Sequence, residues 1–279
     1  TQRVPHELWC DCHRQSFILI RCAEHRPSSD PPAAGHLPPG EGFESGKECP
    51  MTPKTKAKIK RILNAFWHLE PASDIYMFHH VTMTPAVERS CCKLDTEDFV
   101  HFLNQKRTYV PLDDLTDDKS YPRKAAITFD DGLEDTFTVA YPILRQRQIP
   151  FTVFVLSHMV GQPGYLSEEQ LKKMRKDPLV TIGVHGSKHR ILTECTPEEQ
   201  AEEIFASKQT LERLLGQKCD LFAYSHGQYD ANIQKLTAFA GYRKAFAVAG
   251  RPWSARFDKG AYAYPRMSVE EDTKGMFGL

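Results

Sequence analysis

An excess of either charge is the first thing this chain lacks. Lys plus Arg and Asp plus Glu number 36 each, so the formal net charge is zero. Nucleic-acid-binding domains ordinarily carry a basic surplus, so a nucleic-acid partner is not expected. The chain also has no uninterrupted apolar run of about 18 residues, the length a membrane-crossing helix needs, so no transmembrane segment is expected. A disulfide framework is missing too, although there are eight cysteines. Cys10, Cys12, Cys22 and Cys49 crowd the beginning, while Cys91, Cys92, Cys195 and Cys219 are scattered. The neighbours Cys91 and Cys92 are poorly placed to bridge each other, and a chain this long needs no staples to fold. The thiols are read as mostly reduced. What remains, 41% hydrophobic and 26% charged over 279 residues, is globular composition with enough apolar material for one large domain or two small ones.

Residues 1–50 differ from the rest. They contain RPSSDPPAAGHLPPGEGFESGKECP, rich in Pro, Gly and Ser and without periodicity, so disorder is expected. Cys10, Cys12, His13, Cys22 and His25 offer metal-binding side chains, but not at the spacing of a common zinc finger. Met51 opens a new register and resembles a start codon, which would make residues 1–50 an upstream extension. The run that follows is basic, and Ile62 to Leu69 is short and broken by Asn64 and His68. No small-residue cleavage site follows, which argues against a signal peptide. Residues 51–73 are therefore expected to form a basic amphipathic helix and linker. Residues 54–69 would pack on the domain or touch an anionic membrane surface, and a cytoplasmic location follows from the same reading.

From Asp74 to the end of the chain, short β-rich runs alternate with helical ones. Ile75 to Val81, Ala125 to Phe129, Phe151 to Leu156, Val180 to Val184 and Leu221 to Tyr224 read as buried strands. Thr196-Pro197-Glu198-Glu199 is a helix start, with a capping threonine, Pro at the first position and an acid at the third. That helix should stop at Gly216, with Ile204, Leu211 and Leu215 on its core-facing stripe. Strands separated by helices imply parallel βα units, in a barrel or an open sheet, with the chemistry where strands end.

At two such ends the residues are unusual. Residues 127–132 read ITFDDG, and 183–189 read GVHGSKH. DDG after a strand is also an ordinary turn signal, and a lone histidine pair is weak. Taken together, one carboxylate and two imidazoles make a site for a zinc-like ion with a position open for water. The second carboxylate is then available as a base. Two adjacent aspartates can share a site only where the strand has ended, and Gly132 supplies the freedom to turn. Metal-assisted hydrolysis is the chemistry this pattern fits.

From about Asp74 to Val269 the chain resembles the polysaccharide deacetylase family, the NodB-homology domain. The resemblance is carried in order by ITFDDG, PFTVFVLSHMVG, HGSKH, SKQTLERLLG and FAYSHGQYD. It implies a distorted parallel (β/α) barrel over residues 74–279. It also implies one divalent ion on Asp131, His185 and His189, with zinc the default and iron, cobalt or nickel sharing the ligand preference. Asp130 would be the general base in removing an N-acetyl group from an amino sugar, in a saccharide or a surface-polysaccharide precursor. Tyr224, Ser225, His226 and Gly227 would form the oxyanion and substrate loop, with the His226 N–H as donor.

The chain departs from the family pattern in several places. Ser225 stands where proline is usual, which is expected to loosen the loop. Gly186 replaces Ser or Thr after the first metal histidine. The arginine that often precedes the third motif is missing from DLFAY. Arg266, in YPRMSV, resembles a late arginine of a family subgroup, which implies that it orients Asp130. A C-terminal LxH motif for the general acid is missing. MFHHV resembles the strand of a branch in which its first histidine protonates the leaving amine, which nominates His79 and less strongly His80. Trp253, Tyr262 and Tyr264 are expected in the core rather than on sugar rings. The rivals are a catalytically inactive glycan-binding relative and a hydrolase of non-sugar C–N bonds.

Overall fold

In a computed structural model, residues 73–83, 92–117, 124–254, 258, 260–270 and 273–279 are described. The expectations for residues 1–50 and for the helix and linker through residue 72 lie outside them. The first strand is β1 (Asp74–Phe78), followed after a one-residue break at His79 by β2 (His80–Thr82). The single strand expected over Ile75 to Val81 is thus two: β1 joins the barrel, and β2 pairs with β3 (Lys93–Asp95) in a small separate sheet. Helix α1 (Thr96–Asn104) starts on the Asp95 side chain, which accepts the Asp98 N–H at 2.7 Å. The next elements are β4 (Thr108–Tyr109), α2 (Leu112–Asp117) and β5 (Lys124–Phe129). A π turn (Thr136–Ala140) leads into α3 (Tyr141–Gln146), then β6 (Phe151–Val155), α4 (Glu168–Met174) and β7 (Val180–Val184).

The expected helix after Thr196 forms as α5 (Pro197–Ala201), a π turn (Glu202–Ala206) and α6 (Ser207–Leu215). Thr196 and Glu199 make the reciprocal capping box, and Gly216 ends the helix in the left-handed region at φ 62°. The chain then adds β8 (Leu221–Ala223), α7 (Ala231–Phe239), β9 (Lys244–Val248) and β10 (Tyr264–Ser268). Seven strands pair in parallel in the order β1, β10, β9, β8, β7, β6, β5, and the β1–β5 pairing closes the ring. β4 pairs with the first residues of β5, ahead of the stretch that β6 takes up.

Alternation along the strands divides the core. Tyr76, Phe78, Ile127, Phe129, Val153 and Val155 pack with helix residues such as Phe99, Leu171 and Leu211. The intervening Ile75, Ala126, Phe154, Ala223, Phe246 and Tyr264 form a second cluster, so they fill the barrel lumen. Trp253 and Tyr264 belong to this lumen cluster, and Tyr262 packs against the outer one, as expected of core aromatics. Because every barrel strand runs the same way, all their C-terminal ends share one rim. None of the described helices is long and apolar enough to cross a membrane.

Candidate active site

That rim gathers residues from five strands. β5 ends at Phe129, the Asp130 N–H still donates to the Phe78 carbonyl at 2.9 Å, and Asp131 then turns at φ 69°, followed by Gly132 at φ 71°. The break in extended geometry lets both carboxylates face one site. His185 follows β7 and His189 lies in the loop beyond it. Asp131 Oδ1 is 3.5 Å from Nε2 of each of these histidines, and one donor atom from each residue lies within 4.8 Å of the others.

The donor set fits a divalent ion on this structure's own terms. Asp131 Oδ1 is buried and accepts no hydrogen bond, a costly state for a carboxylate oxygen unless something positive meets it. His185 Nδ1 donates to the Ala223 carbonyl at 2.8 Å, since that oxygen can only accept, and this leaves the Nε2 lone pair facing the site. Burial, only partly offset by Asp130, lowers His185 to about 4. Burial, together with His226 and His79, lowers His189 to about 3. Both rings are therefore neutral, as ligands must be.

Asp130 sits in the same cavity with a different partner. Its two oxygens accept from Arg266 Nη1 and Nη2, each at 2.7 Å, and Nη1 also donates to Thr128 at 3.2 Å. Arg266 is fully buried in the lumen with its guanidinium over the Phe154 ring. Burial alone would favour the neutral acid. The Arg266 charge, with His185 and His79, overrides it and holds Asp130 well below the usual carboxylate range.

His79 follows β1, and its Nδ1 lies 2.5 Å from Glu270, which is 1% exposed just past β10. Burial opposes the charged ring, but Glu270, Asp131 and Asp130 outweigh it and raise His79 to about 9. His80 turns elsewhere, to Asp135 at 2.6 Å.

The loop after β8 is shaped by backbone geometry. Four described non-glycine residues have positive φ, and three of them, Asp131, His189 and His226, belong to this rim. Such strain persists only where surroundings enforce it, and it clusters at functional sites. The His226 ring lies tilted against His189, at 4.3 Å between centroids and 45° between planes, and contacts the His189 carbonyl at 3.2 Å. The Gly227 N–H donates back to Tyr224. The Tyr224 side chain does not line the site: it is buried, and its hydroxyl donates to the Tyr262 carbonyl. Ser225, expected to loosen the loop, instead ties it down, because its buried hydroxyl donates to the His185 carbonyl at 2.9 Å.

Sequence reasoning does not find Glu203. This fully buried carboxylate from the π turn accepts the Ser187 N–H at 2.7 Å and the Lys188 N–H at 3.0 Å, which pins the loop between the two histidines. It also accounts for Gly186. A Cβ there would meet Glu203 Oε2 at 2.4 Å, and φ is +96°. The available signal was an acid in i, i+4 register with Ser207, Leu211 and Leu215 on the buried stripe. Glu270 left no comparable signal, since its pairing with His79 spans 191 positions.

A polysaccharide deacetylase family profile matches residues 117–245. Over that stretch the barrel is similar to the polysaccharide deacetylases. YxkH of Bacillus subtilis (strain 168) is 32% identical over 162 residues, which cover 58% of this chain and 57% of that one. The poly-β-1,6-N-acetyl-D-glucosamine N-deacetylase of Staphylococcus aureus (strain MRSA252) is 23% identical over 166 residues, covering 54% and 57%. The chain thus spans a little over half the length of these relatives. Among solved structures, the Streptococcus pyogenes deacetylase PplD in complex with acetate superposes with a TM-score of 0.65 at 20% identity, covering 72% of this chain and 94% of that one. IcaB from Ammonifex degensii gives 0.61 at 23% identity, covering 73% and 94%. At these identities the likeness is one of fold.

Proposed function

We propose that this deacetylase-like barrel hydrolyses the N-acetyl group of an amino sugar, in a saccharide or a surface-polysaccharide precursor, and depends on a divalent metal. The observation that carries the reading is the convergence of Asp131, His185 and His189 on one buried point, with Asp130 and His79 beside it. The relative from Staphylococcus aureus, named for a poly-N-acetylglucosamine substrate, supports the choice of amino sugar.

Asp131, His185 and His189 would hold the ion, which when bound supplies Lewis acidity to the amide carbonyl and makes water more acidic. Asp130 takes the proton from the attacking water. Arg266 keeps it ionised and fixes its plane, at some loss of basicity. His79, charged through Glu270, protonates the departing amine nitrogen. The loop Tyr224–Gly227 presents its backbone to the developing oxyanion.

The test is bound metal and acetate release from N-acetylated sugars for the native protein and Asp130→Asn. Metal in both, with release falling by roughly 10²- to 10⁴-fold in the variant, supports the assignment of Asp130 as base. Metal in both without release from any sugar would point to glycan binding, and turnover of cyclic amides alone to a non-sugar C–N hydrolase. A native protein that takes up no metal after reconstitution sinks the reading.

A further inference from the structure

Glu270 does not face His79 alone. Cys92, half-buried just before β3, brings its sulfur to the same place. A ring nitrogen of His79, the Cys92 sulfur and a Glu270 oxygen all lie within 4.8 Å of one another. These residues come from three separate parts of the chain, and none belongs to the Asp131, His185 and His189 set. The segment is anchored, because the Cys92 carbonyl accepts the His80 N–H at 3.2 Å.

Thiolate, imidazole and carboxylate form a donor set that suits Zn²⁺ or Co²⁺ and not Mg²⁺ or Ca²⁺. A carboxylate as buried as Glu270 needs a positive neighbour. Protonated His79 supplies that charge, and a dication would supply it equally.

We propose that His79, Cys92 and Glu270 form a second divalent-metal site whose occupation withdraws His79 from the reaction, so that excess zinc inhibits. The inhibitory consequence rests on the deacetylase reading above; the site itself does not. Binding expels the Cys92 thiol proton and the proton shared by His79 and Glu270, so the affinity weakens in acid. An imidazole ligated in this way is no longer the imidazolium that gives up a proton.

Metal-stripped full-length protein titrated with Co²⁺ tests the site, through metal stoichiometry and the near-ultraviolet thiolate-to-cobalt absorption. Native protein should bind one equivalent more than Cys92→Ser, and the extra equivalent should carry a thiolate band that the variant lacks. Asp131→Asn should lose a different equivalent and keep that band. Other cysteines can contribute absorption of their own, so the difference between native and Cys92→Ser decides. Equal stoichiometry and equal bands in the two overturn the site. Should Cys92→Ser fail to fold by circular dichroism, His79→Gln carries the same decision. A separate arm compares acetate release at excess zinc with release at one equivalent. The ratio should fall several-fold in native protein and stay flat in Cys92→Ser. The cobalt difference without any acetate release keeps the site and overturns the deacetylase reading. Acetate release without the cobalt difference does the reverse.

Discussion

Asp130 and Asp131 are neighbours of the same residue type in one buried pocket, and their surroundings divide the work between them. Asp130 is saturated by a two-pronged Arg266, whereas Asp131 keeps an oxygen that accepts nothing. The first is thereby held as an anion, and under the proposed function the second would be the metal ligand. Removing Arg266 would strand a buried charge, so Arg266→Met should destabilise the fold by about 3–5 kcal/mol, read as a lower urea midpoint. His79 makes the opposite kind of prediction. Its folded value, about 9, lies above the unfolded 6.5. Its stabilisation is therefore complete below about pH 6.5 and is lost as pH rises through about 9. The stability of metal-free protein, followed by urea denaturation, should decline across that window, and Glu270→Gln should flatten the decline. A dication in the neighbouring site lowers the His79 value, so the same limb should move to lower pH in the metal-loaded protein.

The element that matters most to the site is the π turn between α5 and α6. It sets Glu203 under the loop that carries both histidines, where its carboxylate fills the space Gly186 leaves open. Burial pushes the Glu203 carboxyl up while the Ser187 and Lys188 amides pull it back, so the loop and the helix hold each other. Glu203→Gln should keep the fold and weaken metal binding by roughly 10- to 100-fold, the usual effect of losing a group that orients ligands. Competition with a chromophoric chelator measures this, and an unchanged affinity would show the loop to be held without Glu203.

Across the whole molecule, closure of the ring by the β1–β5 pairing carries His79, Asp130 and Arg266 to one rim. Pairings to 74–78 fix the height of 125–129, and the Val269 N–H bonds the Met77 carbonyl beside them. An ion that binds only this folded rim must stabilise the entire barrel. Zinc at a hundred times its dissociation constant should add about 2.7 kcal/mol, seen as a raised melting temperature that Asp131→Asn abolishes. Chelation should reverse it.

How much of this was legible beforehand depends on the range over which each feature is encoded. The alternation of strands and helices, the capped start at Thr196, the stop at Gly216 and the two strand-end motifs are local patterns of period, capping and turn chemistry. The sequence by itself therefore determined the parallel βα architecture and nominated Asp130, Asp131, His185 and His189. The split of the first strand at His79, the inward turn of the Tyr224 side chain and the tie made by Ser225 were decided by neighbours supplied from elsewhere in the chain. So were the grips of Glu203 on the histidine loop and of Glu270 on His79. Burial and opposing charge set what these side chains do, and both arise only when residues far apart in sequence meet at one rim.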